Sequence, residues 1–384
     1  MKKKILFVIN TLTIGGANTS LSALYAEMRN FYDIKVFALT HDGNKESHGF
    51  NEVLLSKDPI VDAFLGDFDN ASRKDKPFRF LVKIFKRLCI KLHVNLEKYI
   101  FQRTVRKIEK QYSFDRVVAF QEEASALFAS IFSCDDKLAW IHCDFTQGFP
   151  TNDAEIYRHF RKIVFVAHYT EQQFLNKYPK YKGHTCFVYN FLDELRIQRL
   201  AQEPIFDMDL SDKRFTLLSL GRIVPLKRFS KIPEIVAEIK SRGINVRWII
   251  LGPVFDENEY SMLMNDIIKY NVGDSVQWLG DKINPYPYML HSDLCVSLST
   301  TEACPMTFNE ARVLNVPIVT TDFGSANEFV TNGIDGFVCP IADIADAISD
   351  VCLNIDLYKS IRGKSGTRYI INNTIRKQLL SILN

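Results

Sequence analysis

The chain has 384 residues, of which 47% are hydrophobic and 24% are charged. This length and apolar content suit about two ordinary domains with buried cores, and they exclude an intrinsically disordered protein. The formal net charge is only +3, which excludes a uniformly basic protein.

The N-terminus has a basic start followed by an apolar run. We interpret residues 4–9 as a buried first strand, because Asn10, Thr11 and Thr13 interrupt the run; the alternative is a signal peptide. No stretch reaches the roughly 18 apolar residues that span a bilayer, so membrane contact is expected to be peripheral. The eight scattered cysteines contain no CxxC pair and indicate buried thiols in a reducing compartment, the cytoplasm.

The first strand-to-helix loop covers residues 10–18 and precedes a helix that is expected to begin near Thr19. Gly15 and Gly16 would let the backbone approach a ligand closely at the start of that helix. The alternative is an ordinary tight turn that needs a positive φ. The loop is not a GxGxxG fingerprint, which disfavours a dinucleotide oxidoreductase.

Positive charge is concentrated in residues 73–110, which hold 13 Lys or Arg and three acids. Within this insertion, residues 78–92 combine an apolar stripe at helical spacing with flanking cations. Such a helix can lie on an anionic membrane surface, or it can pack its stripe onto the first domain. Nucleic acid is disfavoured as a partner, because the chain contains no recognisable nucleic-acid-binding module.

Short, continuous apolar runs alternate with helix-length segments along the whole chain, which is typical of strands covered on both faces by helices. The predicted strands are 4–9, 34–39, 116–120, 138–141, 163–167 and 186–189, then 215–220, 246–251, 275–279, 294–298, 317–320 and 336–338. Two such series predict an α/β protein with two doubly wound, Rossmann-like domains. The polar stretch 193–214 marks the boundary, giving domains 1–192 and 193–384.

Cations follow the first strand of the second series. Gly221 permits a close turn, and Arg222 and Lys227 can then converge on one phosphate group, the arginine as a fork and the lysine as a point charge. The alternative is a solvated surface loop.

A second candidate segment follows strand 294–298. Pro305 suits the first turn of a helix whose free N–H groups, near Met306 and Thr307, would face a diphosphate. Glu302 lies in the preceding loop, and Glu310 lies about one turn further along, where it can accept hydrogen bonds from ribose hydroxyls. The alternative is an acid at a helix start and an exposed helical acid.

In order and spacing these segments resemble the retaining glycosyltransferases of family 4, also called glycosyltransferases group 1. The matching features are Gly221-Arg222, Lys227, Glu302-x7-Glu310, the strand near 317–321, Asn327-Glu328 and Gly333-Ile334-Asp335-Gly336-Phe337. The resemblance is specific over residues 216–340. It implies the GT-B fold, in which two Rossmann-like domains face each other across a cleft and a C-terminal helix, here about 367–384, packs back on the first domain.

For the second domain, the resemblance implies a site for the nucleotide-sugar donor. Arg222 and Lys227 would bind the diphosphate, Glu302 the hydroxyls of the sugar and Glu310 the ribose. Further contacts are implied for Gly221, for the N–H groups of Met306 and Thr307, and for the nucleobase loops at Gly252, Pro253, Gly280 and Lys282. The family commonly has glycine where this chain has Ala303 and Pro305, so the path of that loop is expected to differ.

For the first domain, the resemblance implies acceptor binding, a glycine loop near the phosphates at Gly15 and Gly16, and a histidine beside the reacting sugar, His142. Asp144 would orient this imidazole. The alternative for His142 is a hydrogen-bonded structural residue at the end of a strand.

The implied activity is retaining transfer of a hexose or related sugar, with UDP as the expected nucleotide, to a glycan or lipid-linked acceptor in bacterial surface polysaccharide synthesis. The nucleotide-sugar would be a co-substrate, with no cofactor, and no cluster with metal-ligand spacing is present in the sequence. The resemblance implies four catalytic residues, which are Arg222, Lys227, Glu302 and His142. The alternatives are a sugar-nucleotide epimerase of the same fold and a catalytically inactive sugar-nucleotide-binding protein.

Overall fold

A computed structural model describes residues 2–12, 15–41, 50, 53–55, 96–144, 154–366 and 372–383. The chain divides into two compact units, Met1–Phe191 and Leu192–Asn384. The basic segment 78–92, proposed above as a membrane-facing helix, lies outside the described residues.

The first unit is built on a parallel sheet. Its strands are β1 Lys4–Leu12, β2 Asp33–His41, β3 Val53–Leu55, β4 Arg116–Ala119, β5 Lys137–Ile141, β6 Lys162–Phe165 and β7 Thr185–Phe187. They lie in the order β3-β2-β1-β4-β5-β6-β7. Strand β1 is longer than the sequence predicts, because Thr11 and Leu12 continue the pairing with β2. The sequence analysis missed β3, which is only three residues long and half-buried.

Helices connect these strands and bury aromatic side chains against the sheet. The described helices are α1 Gly16–Met28, α2 Leu96–Gln111, α3 Ala124–Ser130 and α4 His168–Lys177. Phe128 on α3 stacks on Phe37 of β2 at a centroid distance of 4.9 Å, and Phe101 of α2 meets the same ring edge-on at 5.2 Å. Large buried apolar surfaces of this kind supply most of the stability of such a layer.

One backbone position in the first unit is strained. Glu123, which precedes α3, has φ 58° and ψ −114°, a conformation that residues with a Cβ atom rarely adopt. Strain of this kind costs about 1–3 kcal/mol, and it persists only where the surroundings fix the backbone.

We therefore expect Glu123→Gly to stabilise the first unit by about 1 kcal/mol, because glycine reaches this conformation without a steric penalty. Thermal unfolding measures the change. Glu123→Ala is the control: it removes the carboxylate but keeps the Cβ atom, so it should give no comparable gain. Equal stabilisation by both variants would show that the charge, not the backbone conformation, is unfavourable.

The second unit contains another parallel sheet. Its strands are β8 Phe215–Leu220, β9 Val246–Leu251, β10 Val276–Trp278, β11 Leu294–Ser297, β12 Ile318–Thr321 and β13 Gly336–Cys339. Their order is β10-β9-β8-β11-β12-β13. The strand order reverses direction at β8, which pairs with β9 on one side and with β11 on the other. The prediction of two doubly wound parallel sheets is confirmed.

Helices follow or separate these strands along residues 192–384. They are α5 Glu194–Leu200, α6 Ile232–Ser241, α7 Glu257–Lys269, α8 Tyr286–Leu290, α9 Met306–Val313, α10 Ala326–Phe329, α11 Ile344–Leu353, α12 Ile355–Ser365 and α13 Asn372–Leu383. At the centre, the fully buried Trp248 of β9 donates its indole N–H to Ser219 Oγ of β8 at 2.9 Å. Ser219 in turn donates to the carbonyl of Val296 at 2.7 Å. This chain of hydrogen bonds satisfies the polar groups within an otherwise apolar core.

A fully buried ion pair anchors α9. The Arg312 guanidinium lies 3.0 Å from Asp335, and the two side chains are 2% and 0% exposed. Asp335 also accepts the backbone N–H of Thr331 at 2.7 Å. The pair therefore joins the helix to the turn that precedes β13.

Candidate functional site

In the second unit, the loops that carry the predicted site residues meet at one edge of the sheet. In a doubly wound sheet, ligands bind at the carboxyl ends of the strands where the strand order reverses. Strand β8 occupies that position between β9 and β11. The loops after these strands, 221–228, 252–256 and 299–305, therefore lie next to one another.

Two glycines allow the loops after β8 and β9 to run in direct contact. Gly221 donates its N–H to the carbonyl of Leu251 at 2.9 Å, and Gly252 donates to Gly280 at 2.9 Å. Gly252 has φ +142°, and a Cβ atom there would lie 1.9 Å from the carbonyl oxygen of Gly221. Pro253 accepts the N–H of Ile223 at 2.9 Å. Only glycine fits at position 252, because a side chain would force these two backbones apart.

Lys227 and Glu302 form an ion pair across the loops after β8 and β11. Their side chains are 26% and 19% exposed, so both remain accessible to a ligand. Ser299 Oγ donates to the same Glu302 carboxylate oxygen at 2.8 Å. Ser325 Oγ donates to the Glu302 carbonyl at 2.7 Å. The acid is therefore held at both its side chain and its main chain.

Arg222 has a different partner from Lys227 in this structure. Its exposed guanidinium lies 5.2 Å from the centre of the Phe255 ring, in the loop after β9. This geometry is a cation–π contact. The guanidinium thus lies beside the loop after β9, whereas the Lys227 ammonium lies beside the loop after β11.

The start of α9 carries the next group of predicted residues. The helix begins at Met306, and Pro305 is its N-cap rather than a residue of its first turn. The first N–H groups of any α-helix, here those of Met306 and Thr307, have no acceptor within the helix. They give this end of the helix a partial positive charge that suits an anion.

Glu310 lies one turn into α9 and is 93% buried, so the alternative of an exposed helical acid is wrong. The phenol of Tyr286 on α8 donates to its carboxylate at 3.1 Å. Burial raises the pKa of Glu310 to about 7, although the hydrogen bond from Tyr286 opposes that shift. The carboxyl group therefore titrates close to neutral pH.

Lys282, predicted to lie in a nucleobase loop, forms an ion pair with Asp207 at 2.6 Å. Asp207 precedes β8 and also accepts a hydrogen bond from the phenol of Tyr288. Gly280, two residues before Lys282, has φ +77° and supports the turn that follows β10. The backbone of this loop contacts Gly252, whereas the ammonium group is engaged by Asp207.

In the first unit, the loop after β1 leads directly into α1. The helix begins at Gly16, three residues earlier than expected, and the N–H of Thr19 bonds to the Gly15 carbonyl at 2.9 Å. Gly15 has φ 177°, which is extended backbone. The alternative interpretation, a turn that requires a positive φ at these glycines, is therefore wrong. A Cβ atom added at Gly15 would meet none of the described residues within 4 Å.

His142 follows β5 at the carboxyl edge of the first sheet. Its imidazole packs against the Phe120 ring at a centroid distance of 4.8 Å. Burial lowers the pKa of His142 to about 3, which keeps the ring neutral at physiological pH. The backbone N–H of His142 donates to the carboxylate of Glu122, after β4. The orienting role of Asp144 stays a prediction.

The sequence analysis did not identify several residues that support the site. They are Glu122, Tyr286, Ser299, Ser325 and the Arg312–Asp335 pair. Glu122 carried a usable signal, because an acid directly after a predicted strand lies where ligands bind in such sheets. Asp335 lies within the matching segment 333–337, although its pairing with Arg312 has no sequence signal, and the remaining residues have no local pattern.

In the described part of the chain, no three His, Cys, Asp or Glu side chains lie close enough together to hold a metal ion. None of the described helices is long and apolar enough to cross a membrane.

The second unit matches a known family. Residues 202–365 match the family model described as glycosyl transferases group 1. An uncharacterized glycosyltransferase of Methanocaldococcus jannaschii is 24% identical over 65% of this chain and 64% of that protein. N-acetyl-alpha-D-glucosaminyl L-malate synthase of Bacillus anthracis is 23% identical over 45% of this chain and 46% of that protein. The chain thus spans about half to two thirds of the length of these relatives.

Solved structures show the same fold over nearly the whole chain. Anabaena HepE, crystallised with UDP and glucose, superposes with a TM-score of 0.74 at 17% identity over 99% of both chains. TarM superposes with a TM-score of 0.73 at 14% identity over 100% of this chain and 99% of that one. The chain has the two-unit α/β fold of these proteins, the GT-B fold, and its residues 202–365 are similar to the group 1 glycosyltransferases.

Proposed function

We propose that this protein is a retaining glycosyltransferase of family 4 that moves a hexose or related sugar from a UDP-sugar to a hydroxyl group of a glycan or lipid-linked acceptor. One observation carries the proposal: Lys227, Glu302 and the N-terminus of α9 are gathered at the reversal point of the second sheet. A sugar diphosphate needs positive charge near its phosphates and hydrogen-bond acceptors near its hydroxyl groups. Lys227 and the helix N-terminus offer the positive charge, and the Glu302 carboxylate offers the acceptors.

In this proposal the second unit supplies charge and positioning. Lys227, Arg222 and the first N–H groups of α9 stabilise the negative charge that develops on the departing diphosphate. Glu302 accepts hydrogen bonds from the sugar hydroxyls, and Glu310 from those of the ribose. The departing phosphate accepts the proton of the acceptor hydroxyl, so the new bond forms on the face from which the nucleotide leaves and the configuration is retained. His142 contributes a substrate contact from the first unit.

We also propose that transfer needs no metal ion, because these cations and the helix end already supply positive charge at the diphosphate. Loss of activity on treatment with a chelator, restored by Mg²⁺ or Mn²⁺, would count against this part of the proposal.

The choice of donor and pathway draws on the relatives. HepE structures contain UDP, UDP with glucose, or UDP-glucose. A Staphylococcus aureus relative, 26% identical over 42% of this chain, is named a capsular polysaccharide biosynthesis glycosyltransferase. On that basis we propose a UDP-sugar donor and a role in bacterial surface polysaccharide synthesis.

We propose that the enzyme is cytoplasmic and that its residues 78–92 bind anionic lipid at a membrane surface. Flotation with liposomes that contain or lack acidic lipid tests the contact. Equal recovery on both kinds of liposome would refute the contact.

A thermal-shift panel tests the proposed function. A ligand that binds only the native state raises the melting temperature. UDP-, GDP- and ADP-glucose are each added to the wild-type protein and to Glu310→Ala. We expect UDP-glucose to raise the wild-type melting temperature more than the others do, and to raise that of the variant less. Glu234→Ala, at an exposed carboxylate on α6, is the control and should respond like wild type. No shift with any nucleotide would refute the donor site, and turnover of the nucleotide-sugar without an acceptor would indicate an epimerase.

Glu310 gives the proposed donor site a pH dependence. Its pKa is raised to about 7, so the carboxyl group is neutral in acid and ionised above neutrality. Ribose hydroxyls donate to the ionised form more strongly than to the neutral form. We expect the affinity for UDP-glucose, measured by calorimetry, to rise between about pH 6 and about pH 8 as the proton leaves.

Two variants test that assignment. Tyr286→Phe removes the hydrogen bond that favours the ionised carboxylate, so the midpoint should move to higher pH. Glu310→Gln should abolish the dependence over the same interval. The raised pKa also makes the free energy of unfolding depend on pH. The protonated Glu310 carboxyl group stabilises the folded state fully below its ordinary pKa of 4.5, and this contribution is lost as the pH rises through about 7. A midpoint that is unchanged in both variants would assign the titration to another group.

A further inference from the structure

A carboxylate in the first unit is bonded to the turn that carries His142. Glu122 follows β4, and His142 follows the neighbouring strand β5, with Ala119 paired to Ala139. The Glu122 carboxylate accepts the backbone N–H of His142, and the thiol of Cys143 hydrogen bonds to the same carboxyl group. One side chain thus contacts the first two residues after β5.

The main chain of Glu122 is itself fixed from the opposite side. Asn10 of β1 donates its amide to the Glu122 carbonyl at 3.1 Å, and it accepts the N–H of Ser125 at 2.8 Å. Ser125 Oγ also donates to the Glu122 carbonyl at 3.2 Å. The next residue, Glu123, takes up the strained conformation described above. Strain that is retained between two anchored segments indicates that the position of Glu122 is imposed by its surroundings.

The described residues give the Nε2 atom of the His142 ring no comparable hydrogen bond, and this atom is shielded from solvent. Packing against Phe120 restrains the plane of the ring but makes no directional bond. The position of the imidazole therefore follows from the position of the His142 backbone.

We propose that Glu122 is a positioning residue for His142, holding the main chain after β5 so that the imidazole is presented in one orientation. This inference deepens the proposed function and rests on it, since it assigns Glu122 to the substrate contact made by His142. The strained residue Glu123 directly follows Glu122, so the unfavourable backbone conformation lies next to this contact.

The first test is amide hydrogen exchange, which does not depend on activity. Glu122→Ala should speed exchange at His142 and Cys143 by about tenfold or more, because the acceptor of the His142 N–H is lost. Glu122→Gln keeps an acceptor oxygen and should retain most of the protection. Glu109→Ala is the matched control: Glu109 accepts the N–H of Ser133 at 2.7 Å in the same unit, so its loss should leave His142 protected. Unchanged exchange at His142 in Glu122→Ala would overturn the proposal.

The second test is a double-mutant cycle on sugar transfer. Glu122→Ala should lower kcat by about tenfold or more, because a small displacement of a substrate-contacting group has a large effect on rate. Glu122→Gln should restore most of that rate. The Kd for UDP should stay unchanged, since the charged side chains proposed to contact the nucleotide, Arg222, Lys227 and Glu310, all lie in the second unit. In a His142→Ala background, Glu122→Ala should cause no further loss.

The outcomes separate the two proposals. Additive losses in the cycle would show that Glu122 acts independently of His142, and would overturn the positioning role. A wild-type protein that transfers no sugar from any nucleotide would refute the proposed function, while the exchange experiment would still decide whether Glu122 holds the His142 turn.

Discussion

Lys227→Ala should lower kcat/KM for sugar transfer by about 100- to 1000-fold, the range seen when one preorganised charge or donor is removed from a transition-state site. Lys227 is paired with Glu302 in the structure. Its removal takes a positive charge from the diphosphate and also leaves the Glu302 carboxylate without its counter-charge beside an anionic donor. Both effects oppose the reaction, so the loss should exceed that of an ordinary surface lysine.

Steady-state kinetics with the nucleotide-sugar that stabilises the wild-type protein would measure this loss. Lys231→Ala is the control, since Lys231 lies four residues further along and forms an exposed ion pair with Glu234 at 3.2 Å. It should keep near-normal activity. The Lys227–Glu302 pair is partly exposed, so its loss should cost no more than about 1 kcal/mol of stability. A Lys227→Ala enzyme that is folded and retains wild-type kcat/KM would remove Lys227 from the donor site.

Asp335→Leu should destabilise the second unit by about 3–5 kcal/mol, the usual effect of breaking a buried ion pair from one side. The Arg312 guanidinium would remain buried, and the N–H of Thr331 would lose its acceptor. Leucine cannot repair either loss, because it offers neither charge nor lone pairs.

Urea unfolding followed by tryptophan fluorescence in a Trp140→Phe background reports on this unit, because the two remaining tryptophans, Trp248 and Trp278, both lie in it. Asp274→Ala is the control: Asp274 pairs with Lys240 at 3.0 Å but is 64% exposed, so its removal should cost less than about 1 kcal/mol. The double variant Arg312→Met, Asp335→Leu should recover part of the loss, because the unpaired buried charge is then gone. Equal effects of Asp335→Leu and Asp274→Ala would show that the buried pair contributes no more than a surface pair.

The buried pair also bears on activity. Arg312 lies two residues beyond Glu310 on α9, and both are buried in the same short helix. A change at Asp335 can therefore displace the helix whose N-terminus faces the proposed diphosphate. Asp335, within the matching segment 333–337, would then affect activity through the position of α9 rather than through contact with the ligand.

Local sequence patterns were enough to predict the class of fold and the positions of the loops that carry the candidate site. Continuous apolar runs separated by helix-length segments are local patterns, and they identified the strands of both sheets apart from the short β3. The sequence also identified Gly221-Arg222 and Glu302-x7-Glu310 as candidate site segments, because each is a short motif at the end of a strand. The ends of the elements were predicted less well. Strand β1 extends to Leu12, because pairing with β2 continues beyond its apolar core, and α1 begins at Gly16 rather than near Thr19.

Contacts between distant side chains, in contrast, depend on how the strands and helices pack. Lys227 and Glu302 are 75 residues apart, and they pair because β8 and β11 are neighbours in the second sheet. Glu122 contacts His142 because β4 lies beside β5, and Tyr286 contacts Glu310 because α8 lies against α9. Strand order and helix packing depend on burial across the whole unit rather than on local spacing. The pairings that set charge, pKa and orientation at the candidate site therefore arise only when the units fold.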